Sequence, residues 1–166
     1  LISSFYAGQE GSFLFWALCS SLIALFLARH TRALQNEAPV MGVFMAVQAA
    51  LLLLLIVKSP FRSLWEMIPQ MPAGEIPADG RGLNPLLQNF WMVIHPPVLF
   101  IGFAGMAVPY SFALAGLWKK QFGWLSVGGF PWLIGATLVL GLGIMLGAYW
   151  AYGVLGWGGY WGWDPV

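Results

Sequence analysis

The run Gly11–Ala28, GSFLFWALCSSLIALFLA, carries no charged residue and is bounded by Glu10 and Arg29. As a helix rising about 1.5 Å per residue, it just crosses a hydrocarbon layer about 30 Å thick. Outward from it, Ala38–Val57 is a second uncharged run, uninterruptedly apolar from Leu51 to Val57. Pro39 falls where a first helical turn tolerates proline. Val98–Trp118 is a third run, with Gly102, Gly105 and Gly116 as close-packing positions, Pro109 as a kink, and Lys119-Lys120 closing it. After a short turn over Gln121–Gly129, Phe130–Tyr152 is the fourth. Its Gly143 and Gly147 form a small-xxx-small face suited to helix packing. The whole chain of 166 residues is 60% hydrophobic and 8% charged, with mean hydropathy +0.77. A soluble domain carries about 25% charged residues. The fold class is therefore all-α: a polytopic integral membrane protein with about four transmembrane helices.

Four stretches follow in order. Residues 1–57 hold the first two spans. Residues 58–97 form an external loop whose prolines (Pro60, Pro69, Pro72, Pro77) argue for irregular structure, with Arg62–Ile68 as a short surface helix. Asn84-Pro85 opens a further short helix, because Asn caps and Pro fits a first turn. Leu86, Leu87, Phe90, Trp91, Val93 and Ile94 keep mostly helical spacing, so this piece is expected to lie at the interface and to end at His95-Pro96-Pro97, since a residue before proline is pushed out of the helical region. Residues 98–152 carry the last two spans, and residues 153–166 a Trp- and Gly-rich segment.

Four spans return the chain to its starting side. The short loops with Arg29 and Arg32, and with Lys119 and Lys120, share the opposite side and by their charge are cytoplasmic. His30, between two arginines, reads as part of a solvated basic loop. Residues 58–95 and the Trp-Gly segment then share the external face. Cys19, the single cysteine, lies in an apolar run and reads as a small buried hydrophobe. No basic cluster points to nucleic acid. No Ser-His-Asp set, phosphate loop or histidine pair at metal spacing is present, which excludes hydrolase and nucleotide-driven pump chemistry. A chain starting on Leu1 and stopping on Val166, just after a motif, is expected to be a fragment of a longer one.

Two features could carry chemistry. Tyr149–Val166 interleaves Trp150, Trp157, Trp161, Trp163, Tyr149, Tyr152 and Tyr160 with five glycines. Aromatic rings stack on flat bodies, and glycine lets backbone approach closely. The competing account is a membrane-interface aromatic belt, which leaves the glycines unexplained. His95, on the same face, could ligate haem iron while the rings stack on the porphyrin; it could equally cap a helix by bonding a backbone carbonyl. Asp164-Pro165 reads first as the cap of a following helix.

Trp157-Gly158-Gly159-Tyr160-Trp161-Gly162-Trp163-Asp164-Pro165-Val166 resembles the tryptophan-rich signature of the haem-handling proteins of cytochrome c maturation. Gly82-Leu83-Asn84-Pro85-Leu86-Leu87-Gln88-Asn89 followed by His95-Pro96-Pro97 resembles the CcmF/NrfE branch, as do Gly8–Ser12 and Ser59-Pro60-Phe61. The resemblance implies a multi-pass protein of the bacterial inner membrane acting as the cytochrome c haem lyase component, within a complex. It would take haem b as substrate from the haem chaperone CcmE and join it to a Cys-x-x-Cys-His apocytochrome c on the periplasmic face, alongside a CcmH-type thiol-handling subunit. By residue match His95 is an axial ligand of the haem iron, and Trp157, Gly158, Gly159, Tyr160, Trp161, Trp163 and Asp164 form the haem surface. No residue is assigned a catalytic role. A second, structural haem would be held by histidines beyond this chain. The signature often has two adjacent tryptophans where Tyr160-Trp161 stands here. The alternative function is a haem transfer or export scaffold that binds haem without forming thioether bonds.

Overall fold

Each uncharged run becomes a long helix, because a chain in lipid must satisfy its backbone polar groups internally. The structure, a computed structural model, describes residues 2–68, 70, 72, 74, 77–80 and 82–155. A short helix α1 (Ile2–Ala7) turns at Gly8 into α2 (Gln9–Ala33). Then come α3 (Glu37–Val57), the four-residue α4 (Leu64–Met67), α5 (Phe90–Lys119) and α6 (Phe130–Val154). A π-helical turn over Leu125–Gly129 leads straight into α6, so the last span effectively starts at Leu125. Four helices are long and apolar enough to cross a membrane. The all-α polytopic class is thus as read from the sequence, and no strand occurs among the described residues.

The loop reading holds in part. Arg62–Ile68 does contain a helix, α4, closed by a capping box between Ser63 and Glu66. Asn84 does cap a start at Pro85, its Oδ1 accepting from the Leu86 N–H at 3.0 Å. That start makes only a 3-10 turn, Pro85–Leu87. Asn89 then caps again, accepting from the Trp91 N–H at 2.9 Å, and α5 begins at Phe90. The expected end at His95 is therefore corrected: α5 runs unbroken through Pro96 and Pro97, and no separate interfacial helix stands between Asn84 and Ile94.

The two turns at the cationic end share one device. At each helix end the chain passes through a residue with φ +56°, Gln35 after α2 and Lys120 after α5. Around them Asn36 N–H bonds Thr31 O and Gln35 N–H bonds Arg32 O, while Gln121 N–H bonds Gly116 O and Lys120 N–H bonds Leu117 O. Both are Schellman closures, which satisfy the last carbonyls of the helix. Arg32 and Glu37 pair at 2.9 Å across the first turn. Beneath the turns sits the core: Leu27, Val40, Phe44, Val108, Phe112 and Ala115, from α2, α3 and α5. Phe112 rests on Gly128 and Gly129, where an added side-chain carbon would collide with it. Polar side chains within the spans bond inside the protein. Ser21, Thr31 and Ser111 donate to carbonyls four residues back, and buried Gln48 of α3 donates to Ala17 O and Ser21 Oγ of α2, both at 3.0 Å.

A non-glycine residue in the left-handed region costs about 1–2 kcal/mol, part of which glycine returns as chain entropy. Lys120→Gly is expected to stabilise the protein by about 1 kcal/mol, read as a higher midpoint of thermal unfolding in detergent. An unchanged or lower midpoint would show that the Lys120 side chain contributes more than its backbone costs.

Candidate functional site

The site is set by how α5 and α6 meet. They pack antiparallel along a seam in which a backbone on one helix takes the side chain of the other. A methyl group at Gly102 would lie 2.6 Å from Leu140 Cα, one at Gly105 2.9 Å from Ala136 Cβ, and one at Gly143 2.8 Å from Leu99 Cα. At the end of the same series farthest from the Lys119-Lys120 turn His95 meets Gly147, where a methyl group would lie 2.8 Å from Nδ1 and 2.9 Å from Nε2. The pairs 95 with 147, 99 with 143, 102 with 140 and 105 with 136 keep one register. His95 thus lies near the end of a helix seam, with only the Trp91–Tyr149 ring contact beyond it among the described residues of α5 and α6.

Its imidazole is half-buried, and Nδ1 lies 2.7 Å from Gly143 O. A carbonyl can only accept, so Nδ1 carries the proton and donates. Nε2 is then the ring nitrogen with the lone pair, and it has no hydrogen-bond partner among the described residues. Histidines that ligate metal commonly hold this tautomer, the second nitrogen bonded to a backbone carbonyl or carboxylate. The arrangement fits a single axial ligand to iron. His95 lies inside α5 and its acceptor inside α6, so the bond ties two helices together rather than capping a helix end.

The Pro96-Pro97 pair should have broken α5, since each proline removes a donor and crowds the carbonyl four residues back. Pro97 leaves Val93 O without its helical partner. Tyr6, buried on α1, donates its hydroxyl to that oxygen at 2.6 Å. Burial pushes the Tyr6 phenol above its ordinary range, so it stays a donor. Two aromatic ties secure the same end: Trp150 Nε1 donates to Leu86 O at 3.1 Å, and Trp91 packs edge-on against Tyr149 with centroids 4.7 Å apart.

Among the sequence-predicted site residues, His95 is placed as described. Trp157, Gly158, Gly159, Tyr160, Trp161, Trp163 and Asp164 lie outside the described residues. The described chain reaches Leu155, eight residues beyond Gly147 along α6 and so about 12 Å outward of His95 at helical rise. His30 sits at the opposite end, donating through Nε2 to Gly128 O at 3.1 Å, which supports the expectation that it belongs to the other face. It is not the free loop histidine anticipated, but closes the π-helical turn against Phe112 and Trp132. Sequence reasoning missed Tyr6, 87 residues from its acceptor. It marked Gly143 and Gly147 as packing positions without pairing them to His95. No three residues of metal-ligating type cluster among the described residues.

Residues 6–166 match the family described as cytochrome C assembly protein. This chain belongs to that family. It is 41% identical over its whole length to the cytochrome c-type biogenesis protein CcmF of Pseudomonas fluorescens, covering 24% of that protein. It is 39% identical to the CcmF of Pseudomonas aeruginosa, over 99% of this chain and 24% of the relative. It is 37% identical to the probable cytochrome c-type biogenesis protein NrfE of Escherichia coli, over 99% of this chain and 29% of the relative. The chain is of CcmF/NrfE type and spans about a quarter of the length of these relatives. No solved structure matches it.

Tyr6→Phe removes the side-chain donor to Val93 O and leaves that part-buried carbonyl without its partner, at a cost of about 1 kcal/mol. The loss should appear as faster amide hydrogen exchange in residues 90–97, with α3 unaffected. In the wild type the bond is present at neutral pH. Because the folded phenol titrates above the unfolded one, its contribution is lost only as pH rises beyond the ordinary phenol value of about 10. Unaltered exchange at the start of α5 would mean that Val93 O finds another donor.

Proposed function

We propose that this multi-pass membrane segment binds haem at its external end and, as part of the longer protein, presents it for attachment to apocytochrome c. The observation that carries the reading is the Nδ1–H···O bond from His95 to Gly143, which leaves Nε2 as the one lone pair available to iron. The family and the CcmF- and NrfE-type relatives support it, being named for cytochrome c assembly. Haem is the substrate here. Trp157, Tyr160, Trp161 and Trp163, carried on glycines Gly158 and Gly159 with Asp164 beside them, supply the stacking surface in this reading.

The distribution of basic residues supports a periplasmic setting for that end. Arg29, Arg32, Lys119 and Lys120 flank the two short turns at the opposite end, where the charge rule puts the cytoplasm. Haem would arrive from the chaperone CcmE, and the apocytochrome with a CcmH-type partner that keeps its thiols reduced. Each cysteine sulfur then adds to a vinyl carbon of haem, and its proton ends on the neighbouring vinyl carbon. The addition has no net redox change and no leaving group. Holding the two partners in line can contribute about 7 kcal/mol or more, so positioning does most of the work.

The test uses the full-length protein, purified after co-expression with the haem chaperone, as wild type and His95→Gly. Haem held on other histidines is subtracted through variants of those residues. The external haem absorbance is expected to fall at least about 10-fold in His95→Gly and to return on adding imidazole. A His95→Ala strain dependent on this protein should lose holocytochrome c. Spectra that match the wild type would overturn the ligand role of His95. Haem binding that depends on His95 in a strain with undiminished holocytochrome c would replace the lyase reading with the transfer scaffold.

A further inference from the structure

The carbonyl of a helical residue points along the axis toward residue i+4. The Cβ at i+4 leans back toward the N-terminus and shields that oxygen from the side. At Gly143 the shielding residue is Gly147, which has no Cβ. The oxygen is bare, and the His95 ring lies in the space where a Gly147 side chain would be, with Nδ1 2.7 Å from Gly143 O. One missing side chain therefore does two things: it makes room for the imidazole and it uncovers the acceptor that fixes the imidazole's tautomer.

We propose that Gly147 is a positioning residue for haem ligation: its bare Cα and the Gly143 carbonyl it uncovers form a seat that holds His95 with Nε2 free for iron. The proposal rests on the reading of His95 as the ligand, and deepens it. The seat is specific to position 147. At the other seam glycines, Gly102, Gly105 and Gly143, an added carbon would meet Leu140, Ala136 and Leu99, none of them titratable. A hydrogen bond from Nδ1 also fixes the ring plane, as outer partners of ligating histidines do.

A methyl group at 147 would overlap the imidazole, and the ring must leave the seat. The experiment compares full-length wild type, Gly147→Ala, Gly102→Ala and His95→Gly, with haem absorbance per folded protein as the readout and circular dichroism and gel filtration reporting the fold. Gly102→Ala is the packing control, since its added carbon meets Leu140 Cα at 2.6 Å in the same seam. Gly147→Ala is expected to lose about 10-fold in haem affinity with a shifted Soret band, while Gly102→Ala keeps the wild-type spectrum. A second measurement avoids any folding problem. In His95→Gly, imidazole should restore the haem spectrum at lower concentration than 1-methylimidazole, which binds iron but has no N–H to give Gly143 O. Retention of the wild-type spectrum in Gly147→Ala, equal losses in both glycine variants, or equal rescue by the two imidazoles would each overturn the seat. If His95→Gly itself keeps the external haem signal, the ligand reading fails rather than the seat.

Discussion

A carbonyl oxygen in lipid has no water to turn to, and the structure is tied together by side chains that answer that need. Tyr6 reaches Val93 O, Gln48 reaches Ala17 O, His30 reaches Gly128 O, His95 reaches Gly143 O and Trp150 reaches Leu86 O. Each joins segments distant in sequence, and each runs from a side-chain donor to a backbone acceptor. Apolar contact alone cannot set the register of helices already surrounded by apolar lipid. Directional bonds to the backbone can. Three of them sit where the helical ladder is interrupted or laid bare: at the π-helical turn, at the carbonyl freed by Pro97, and at a glycine pair.

The two ends of the bundle are held differently. At the cationic end, large side chains close on one another and Phe112 fills the space over Gly128 and Gly129. At the external end, Tyr6, His95, Trp91 and Trp150 make hydrogen bonds and edge contacts around a thinner core. Closely packed regions open rarely, and regions held by few contacts open at lower cost. The proposed haem site lies at the second kind of end. The Trp- and Gly-rich segment follows α6 at that end.

What the sequence disclosed follows from which physics is local. The four spans were legible because absence of charge over about 20 residues is a property of the run itself. The cap at Asn84 was legible for the same reason. The course of the chain through His95 was not. The rule that proline ends a helix weighs the cost inside one helix, and here the offsetting donor, Tyr6, arrives from α1. Gly147 was legible as a small residue, but what it makes room for depends on the register with α5. Had that register been in hand, the i, i+4 glycine pair beside a lone histidine would have pointed to the seat.

A ligand at a broken helix end and a ligand in a helix seam differ in what binding must supply. At a break the histidine would choose among rotamers and tautomers, and capture of iron would bear the cost of fixing both. In the seam, Gly147 and Gly143 O fix them in advance, and only Nε2 remains to be occupied. Preorganisation of this kind raises affinity without adding a contact to the substrate. It also explains why two prolines can follow His95 directly. They rigidify the helical turn that carries His95, and the backbone donor lost at Pro97 is replaced by a phenol from a neighbouring helix. The helix is weakened there as a helix, and strengthened as a platform.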